Sequence, residues 1–130
     1  MASEKPVFQK LGLKSTHKAA KLTIPREFEK MLGETGVKFS RTLAEGDFDF
    51  ILGFYESQKE LKGDLPKIKR ALAKKTGMAW VCWRKGNITD LSRDGIRSLV
   101  EGTGLDTVAS CSINDDWSSL KLMYPKAERT

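Results

Sequence analysis

Two runs dominate what this chain can fold into. Phe48–Tyr55 (FDFILGFY) and Met78–Trp83 (MAWVCW) are nearly continuous in apolar and aromatic residues. A half-buried strand alternates polar with apolar; a run without alternation predicts a strand covered on both faces, as in a parallel sheet. Between the runs, Leu61, Leu65, Ile68 and Leu72 fall four, three and four residues apart, which places them on one helix face. Strand, helix and strand in that order make a crossover unit of a parallel sheet. Gly63-Asp64-Leu65-Pro66 predicts an interruption of the helix, with Asp64 capping the restart.

The flanking segments continue the alternation. Lys18–Ile24 reads as a first strand, and Pro25–Leu32 as a short helix with Phe28, Met31 and Leu32 on its apolar face. Val37–Thr42 alternates with period two. Ser92 is a natural N-cap for a helix whose apolar face holds Ile96, Leu99 and Val100. Thr107–Ile113 is a strand, Asn114-Asp115-Asp116 has turn chemistry, and Leu120–Tyr124 is a final strand that ends at Pro125, as an edge or last strand does. The expected fold is α/β: a three-layer Rossmann-like sandwich whose sheet is mostly parallel, with a C-terminal antiparallel hairpin at one side. Residues 1–17 read as a loosely ordered basic arm that docks Val7, Phe8, Leu11 and Leu13, and residues 18–130 as a single α/β domain.

Charge and cysteine usage exclude several classes. The chain carries 23 Lys+Arg against 17 Asp+Glu, a net +6. Residues 1–40 hold eight lysines and arginines against four glutamates, a surplus of +4. A basic stretch of this kind can touch phosphates. It lacks the interleaved aromatics of single-strand binders, so weak nucleic-acid binding ranks below a solvated surface. Cys82 and Cys111 lie in apolar runs, without the density of a secreted scaffold or zinc-ligand spacing, and read as reduced core thiols. No membrane-length apolar run and no signal-peptide pattern is present, so a cytoplasmic location is expected.

Several motifs resemble those of a bacterial family of small uncharacterised proteins, catalogued as a domain of unknown function. They are Lys10-Leu11-Gly12-Leu13-Lys14, Pro25-x-x-Phe28, Phe48-Asp49-Phe50-Ile51-Leu52, Trp80-Val81-x-Trp83-x-Lys85, Thr89-Asp90-Leu91 and Trp117-Ser118-x-Leu120-Lys121. Where many relatives read Trp-Pro-Lys, this chain reads Trp83-Arg84-Lys85. The resemblance implies a fold and no reaction. From Phe48 onward the layout is also similar to the second half of a class I methyltransferase sheet, a likeness of fold alone.

Rossmann-type folds hold a cofactor on a glycine-rich turn after the first strand. Here that turn, Leu22-Thr23-Ile24-Pro25-Arg26-Glu27, has no glycine. No cofactor, metal site or catalytic set is expected: His17 stands alone, and Ser110 and Ser112 lack triad partners. The remaining candidates lie at the carboxyl end of the sheet, where open α/β folds bind ligands. They are Trp83, Arg84, Lys85, Thr89 and Asp90 in one loop, and Asp115, Asp116, Trp117 and Ser118 at the final turn. In such a site Lys85 would bind a small anionic ligand, Asp90 would orient a donor, and Trp83 or Trp117 would stack. Packing and turn roles are the competing reading for each. The leading functional expectation is a small non-enzymatic α/β binding or regulatory module. The alternative is a diverged methyltransferase-like enzyme or a binder of SAM or a nucleotide. An exposed edge strand would let two copies pair.

Overall fold

The computed structural model describes residues 7–14, 16–86 and 88–128. Its strands are β1 (Ala19–Lys21), β2 (Phe39–Ser40), β3 (Phe50–Phe54), β4 (Met78–Arg84), β5 (Asp106–Ser112) and β6 (Trp117–Met123). Its helices are α1 (Val7–Lys10), α2 (Arg26–Gly33), α3 (Gln58–Ala71) and α4 (Arg93–Glu101), followed by a 3-10 turn at Lys126–Glu128. The strands form one sheet in the order β2-β1-β3-β4-β6-β5.

The two apolar runs become the centre of that sheet. Every residue of β3 is buried, as are Ala79–Trp83 of β4. The strands pair in parallel with Phe50 opposite Met78 and Phe54 opposite Cys82. β1 pairs in parallel with both β2 and β3. The pleat then divides the side chains between two cores. Ile51, Tyr55, Ala79, Val81 and Trp83 pack beneath α3 and α4. Phe50, Leu52, Phe54, Trp80 and Cys82 pack beneath α2 and the segment around α1. The result is a Rossmann-like α/β sandwich.

The sheet is mixed, and the antiparallel hairpin at its right side has its second strand inside. β6 starts at Trp117 and runs antiparallel between β4 and β5, with Arg84 opposite Trp117 and Val81 opposite Leu120. It is therefore an interior strand, and β5 is the edge. Leu120 and Leu122 supply the reason: both are almost fully buried, which an edge position would not achieve.

Three local expectations are corrected. α3 is continuous through Pro66. Ser57 caps its start by accepting the Glu60 N–H, so Asp64 is not needed as a cap; its carboxylate accepts the Tyr55 hydroxyl at 2.8 Å instead. Met31 is 37% exposed, because Phe28 and Leu32 alone fill the face that α2 presents to the sheet. Cys111 lies half-buried on the edge strand, whereas Cys82 is buried. Of the expected arm, residues 1–6 and Ser15 lie outside the described residues. Phe8, Leu11 and Leu13 are buried against the α2 side of the sheet, and the Trp80 indole donates to the Leu11 carbonyl at 2.9 Å.

Candidate functional site

The carboxyl ends of β1, β3 and β4 lie along one rim of the sheet. β1 sends its crossover to β2 on one side and is flanked by β3 on the other. The chain therefore reverses its winding between β1 and β3, the position where doubly wound folds open a ligand crevice. In this protein side chains fill that crevice. The turn Leu22–Glu27 enters α2 through Pro25, which offers no side-chain cap to the helix. Trp117 rises from β6 to meet it, with its ring edge-on to Phe54 at 5.0 Å and to Phe28 at 6.3 Å. Arg84 closes the top. Its guanidinium lies 4.6 Å from the Trp117 ring centroid, and its Nε contacts the Glu56 carboxylate at 3.2 Å. About 120 Å³ remains between Thr23, Pro25, Phe54, Glu56, Arg84 and Trp117. Sites for cofactor-sized molecules run to roughly 300–1,000 Å³. The Trp117 Nε1–H is buried without a hydrogen-bond partner among the described residues, a cost the packing of its rings must offset.

A larger concavity of about 490 Å³ lies one strand over, where β4 runs out into its loop. Trp83, Arg84, Lys85 and Gly86 form one wall, Leu91–Asp94 at the start of α4 the other, and Ser118 of β6 the floor. Gly86 has φ +84°, a left-handed conformation that glycine adopts without strain. Lys85 pins the start of the loop through two hydrogen bonds. The Lys85 N–H donates to the Asp116 carbonyl at 2.9 Å, and the Lys85 ammonium donates to the Ser112 hydroxyl at 2.7 Å. Ser92 caps α4 by accepting the Gly95 N–H at 3.1 Å.

The nine residues singled out in the sequence separate into three groups. Trp83, Arg84, Lys85 and Ser118 line the larger concavity. Trp117 faces the opposite side of the sheet, in the core under α2. The other four line neither cavity. Thr89 Oγ1 accepts the Leu91 N–H, and Asp90 accepts the Gln58 N–H at 2.8 Å, at the start of α3. Asp116 takes part through its backbone, and Asp115 is exposed; both follow Asn114, whose side-chain oxygen accepts the N–H groups of Asp116 and Trp117. The sequence reading passed over Arg93 and Asp94. Ser92 as an N-cap was the available signal, since residues after a cap at the carboxyl rim must face the strand loops. His17 accepts the Lys14 N–H through Nδ1 and stacks near Phe50.

No protein-family model and no curated protein matches the chain. Solved structures do. A TehB-like SAM-dependent methyltransferase from Corynebacterium glutamicum superposes with a TM-score of 0.62 at 13% identity, covering 92% of this chain and 85% of that one. The 1,6-didemethyltoxoflavin-N1-methyltransferase of Burkholderia thailandensis gives 0.55 at 11% identity, over 92% and 75%. A SAM-dependent methyltransferase from Clostridium acetobutylicum gives 0.51 at 9%, over 82% and 75%. The fold is shared with SAM-dependent methyltransferases. Such a fold implies SAM at the crevice beside β1. The residues here do not fit it there: the turn has no glycine, Pro25 removes an N–H, and Trp117 and Arg84 occupy the space. Among the described residues no helix is long and apolar enough to cross a membrane.

Proposed function

We propose that this chain is a diverged methyltransferase-like protein that binds a small molecule bearing a carboxylate or phosphate, of the SAM or nucleotide class, between the β4 loop and the start of α4. The observation that carries the reading is the pairing of Lys85 and Arg93 on opposite walls of a 490 Å³ concavity beside the first turn of α4. Two cations and the free N–H groups of a helix start are the chemistry that receives phosphate or carboxylate. Trp83 adds an apolar surface, although it is itself buried to 6% exposure, so the ligand would meet its edge. The fold shared with SAM-dependent methyltransferases supports this reading over a non-enzymatic module. The filled crevice beside β1 argues for binding outside the usual cofactor position.

Thermal-shift measurements with SAM, S-adenosylhomocysteine, ATP and inorganic phosphate test it. A ligand at a hundred times its Kd adds about 2.7 kcal/mol of stability. At least one of the four is expected to raise the melting temperature, and Lys85→Ala and Arg93→Ala are each expected to remove most of the rise. No shift at millimolar concentration overturns the proposal. So does a shift that survives both substitutions but disappears in Glu56→Ala, which would return the ligand to the crevice beside β1.

A further inference from the structure

The sheet ends differently at its two sides. On the left, β2 is two residues long, too short to template another strand. On the right, β5 presents seven residues, and five of them are exposed. An edge of that length normally carries a lysine, a proline or an inward charge that blocks pairing. Asp106–Ser112 (DTVASCS) holds no lysine, arginine or proline; its one charge, Asp106, lies at the start of the strand before the bulge, and its Val108 is 41% exposed. A bulge at Val108 disturbs only the first half, leaving Ala109–Ser112 in regular register with Lys121–Ser118 of β6.

Charge identifies what the edge can accept. Arg93 and Arg97 lie one turn apart on α4 and flank a depression of about 190 Å³ along Thr107–Ser110. Neither arginine makes an ion pair among the described residues. A second copy of this chain would bring two more arginines to the same place, and like charges facing one another oppose association. An incoming strand with carboxylates would satisfy both arginines while its backbone completes the hydrogen bonds of β5.

We propose that the outer edge of β5 docks an extended acidic segment of another protein, added antiparallel or parallel to β5 with its acidic side chains toward Arg93 and Arg97. Backbone pairing supplies affinity and the two arginines supply selectivity. The surface is independent of the ligand concavity except at Arg93, which borders both, so Arg97 is the informative position.

Fluorescence anisotropy with a labelled peptide of alternating Glu and Val tests this, against an alternating Lys and Val peptide and against the Glu-Val peptide N-methylated at every second residue. The Glu-Val peptide is expected to bind the intact protein at least tenfold more tightly than either control. Arg97→Glu, an exposed change that leaves the core untouched, is expected to weaken it by a similar factor. Equal binding of the Glu-Val and Lys-Val peptides overturns the proposal, as does full binding by the N-methylated peptide or by Arg97→Glu, or no binding at millimolar peptide. Sedimentation of the protein alone adds one more arm: a dimer that Arg97→Glu strengthens would give the edge to a second copy and overturn it as well.

Discussion

The carboxylate of Asp90 accepts the backbone N–H of Gln58 at 2.8 Å, and the Asp90 carbonyl accepts the Gln58 side-chain amide at 2.7 Å. Two residues 32 apart in sequence thereby lock the loop after β4 onto the first turn of α3. Asp90→Ala is expected to cost about 1 kcal/mol, the usual loss of a helix cap. Chemical denaturation measures it, and Asp90→Asn should recover much of the loss because its side-chain oxygen still accepts. A loss of ligand affinity in Asp90→Asn without a loss of stability would instead assign the residue to the concavity.

Trp117 separates packing from polarity. Trp117→Ala removes a fully buried ring that touches Phe28, Phe54 and Arg84, and is expected to cost about 3–5 kcal/mol. Trp117→Phe also loses volume, but it removes the unpartnered Nε1–H, whose burial costs about 1–3 kcal/mol. The phenylalanine variant should therefore lose less than about 2 kcal/mol in equilibrium unfolding. Equal costs for the two variants would show that the indole nitrogen finds a partner, such as a buried water.

Pro66 interrupts the hydrogen bonding of α3 without breaking it. The ring has no N–H for the Lys62 carbonyl, and the residue is exposed, so little packing depends on it. Pro66→Ala is expected to stabilise the protein by up to about 3 kcal/mol, seen as a higher melting temperature. A decrease would mean that the proline ring helps to seat Leu65 and Ile68.

Alkaline pH is expected to destabilise the fold. Burial, followed by the neighbouring Cys111, pushes the Cys82 thiol up. Burial, followed by the hydrogen bond to the Asp64 carboxylate, holds the Tyr55 hydroxyl protonated far above its ordinary range. Unfolded, these groups titrate near about 8.5 and 10. Their contribution is fully present below those values. Above them the unfolded chain has released protons that the folded chain retains, so stability falls as pH rises. Urea midpoints between neutral pH and pH about 11 should fall, less steeply in Cys82→Ala and Tyr55→Phe.

The centre of the sheet was legible in the sequence because its signal is local. Phe50–Phe54 and Ala79–Trp83 are buried on both faces, and unbroken apolar runs say so directly. What depends on tertiary partners was not legible. The break expected in α3 rested on Gly63, Asp64 and Pro66, three local signals that packing of Leu61, Leu65 and Ile68 overrides. Trp83 and Trp117 look alike as loop-adjacent aromatics, yet the register that sets Arg84 opposite Trp117 sends them to opposite faces. The concavity was half visible: its strand-side residues were found from the loop after Trp83, whereas Arg93 and Asp94, signalled only by the Ser92 cap before them, were passed over.

The interior position of β6 also bears on how the chain is made. Strands β1 to β4 leave the ribosome first, and then β5 emerges with nothing to pair with, since its hydrogen-bonding neighbour is still to come. Until Trp117–Met123 arrives, the outer edge of β4 is open, and Trp80 and Cys82 lack cover from that side. The last strand thus acts as a wedge that joins two waiting edges at once. During that interval the nascent chain carries an apolar, unpaired strand of the kind that aggregates.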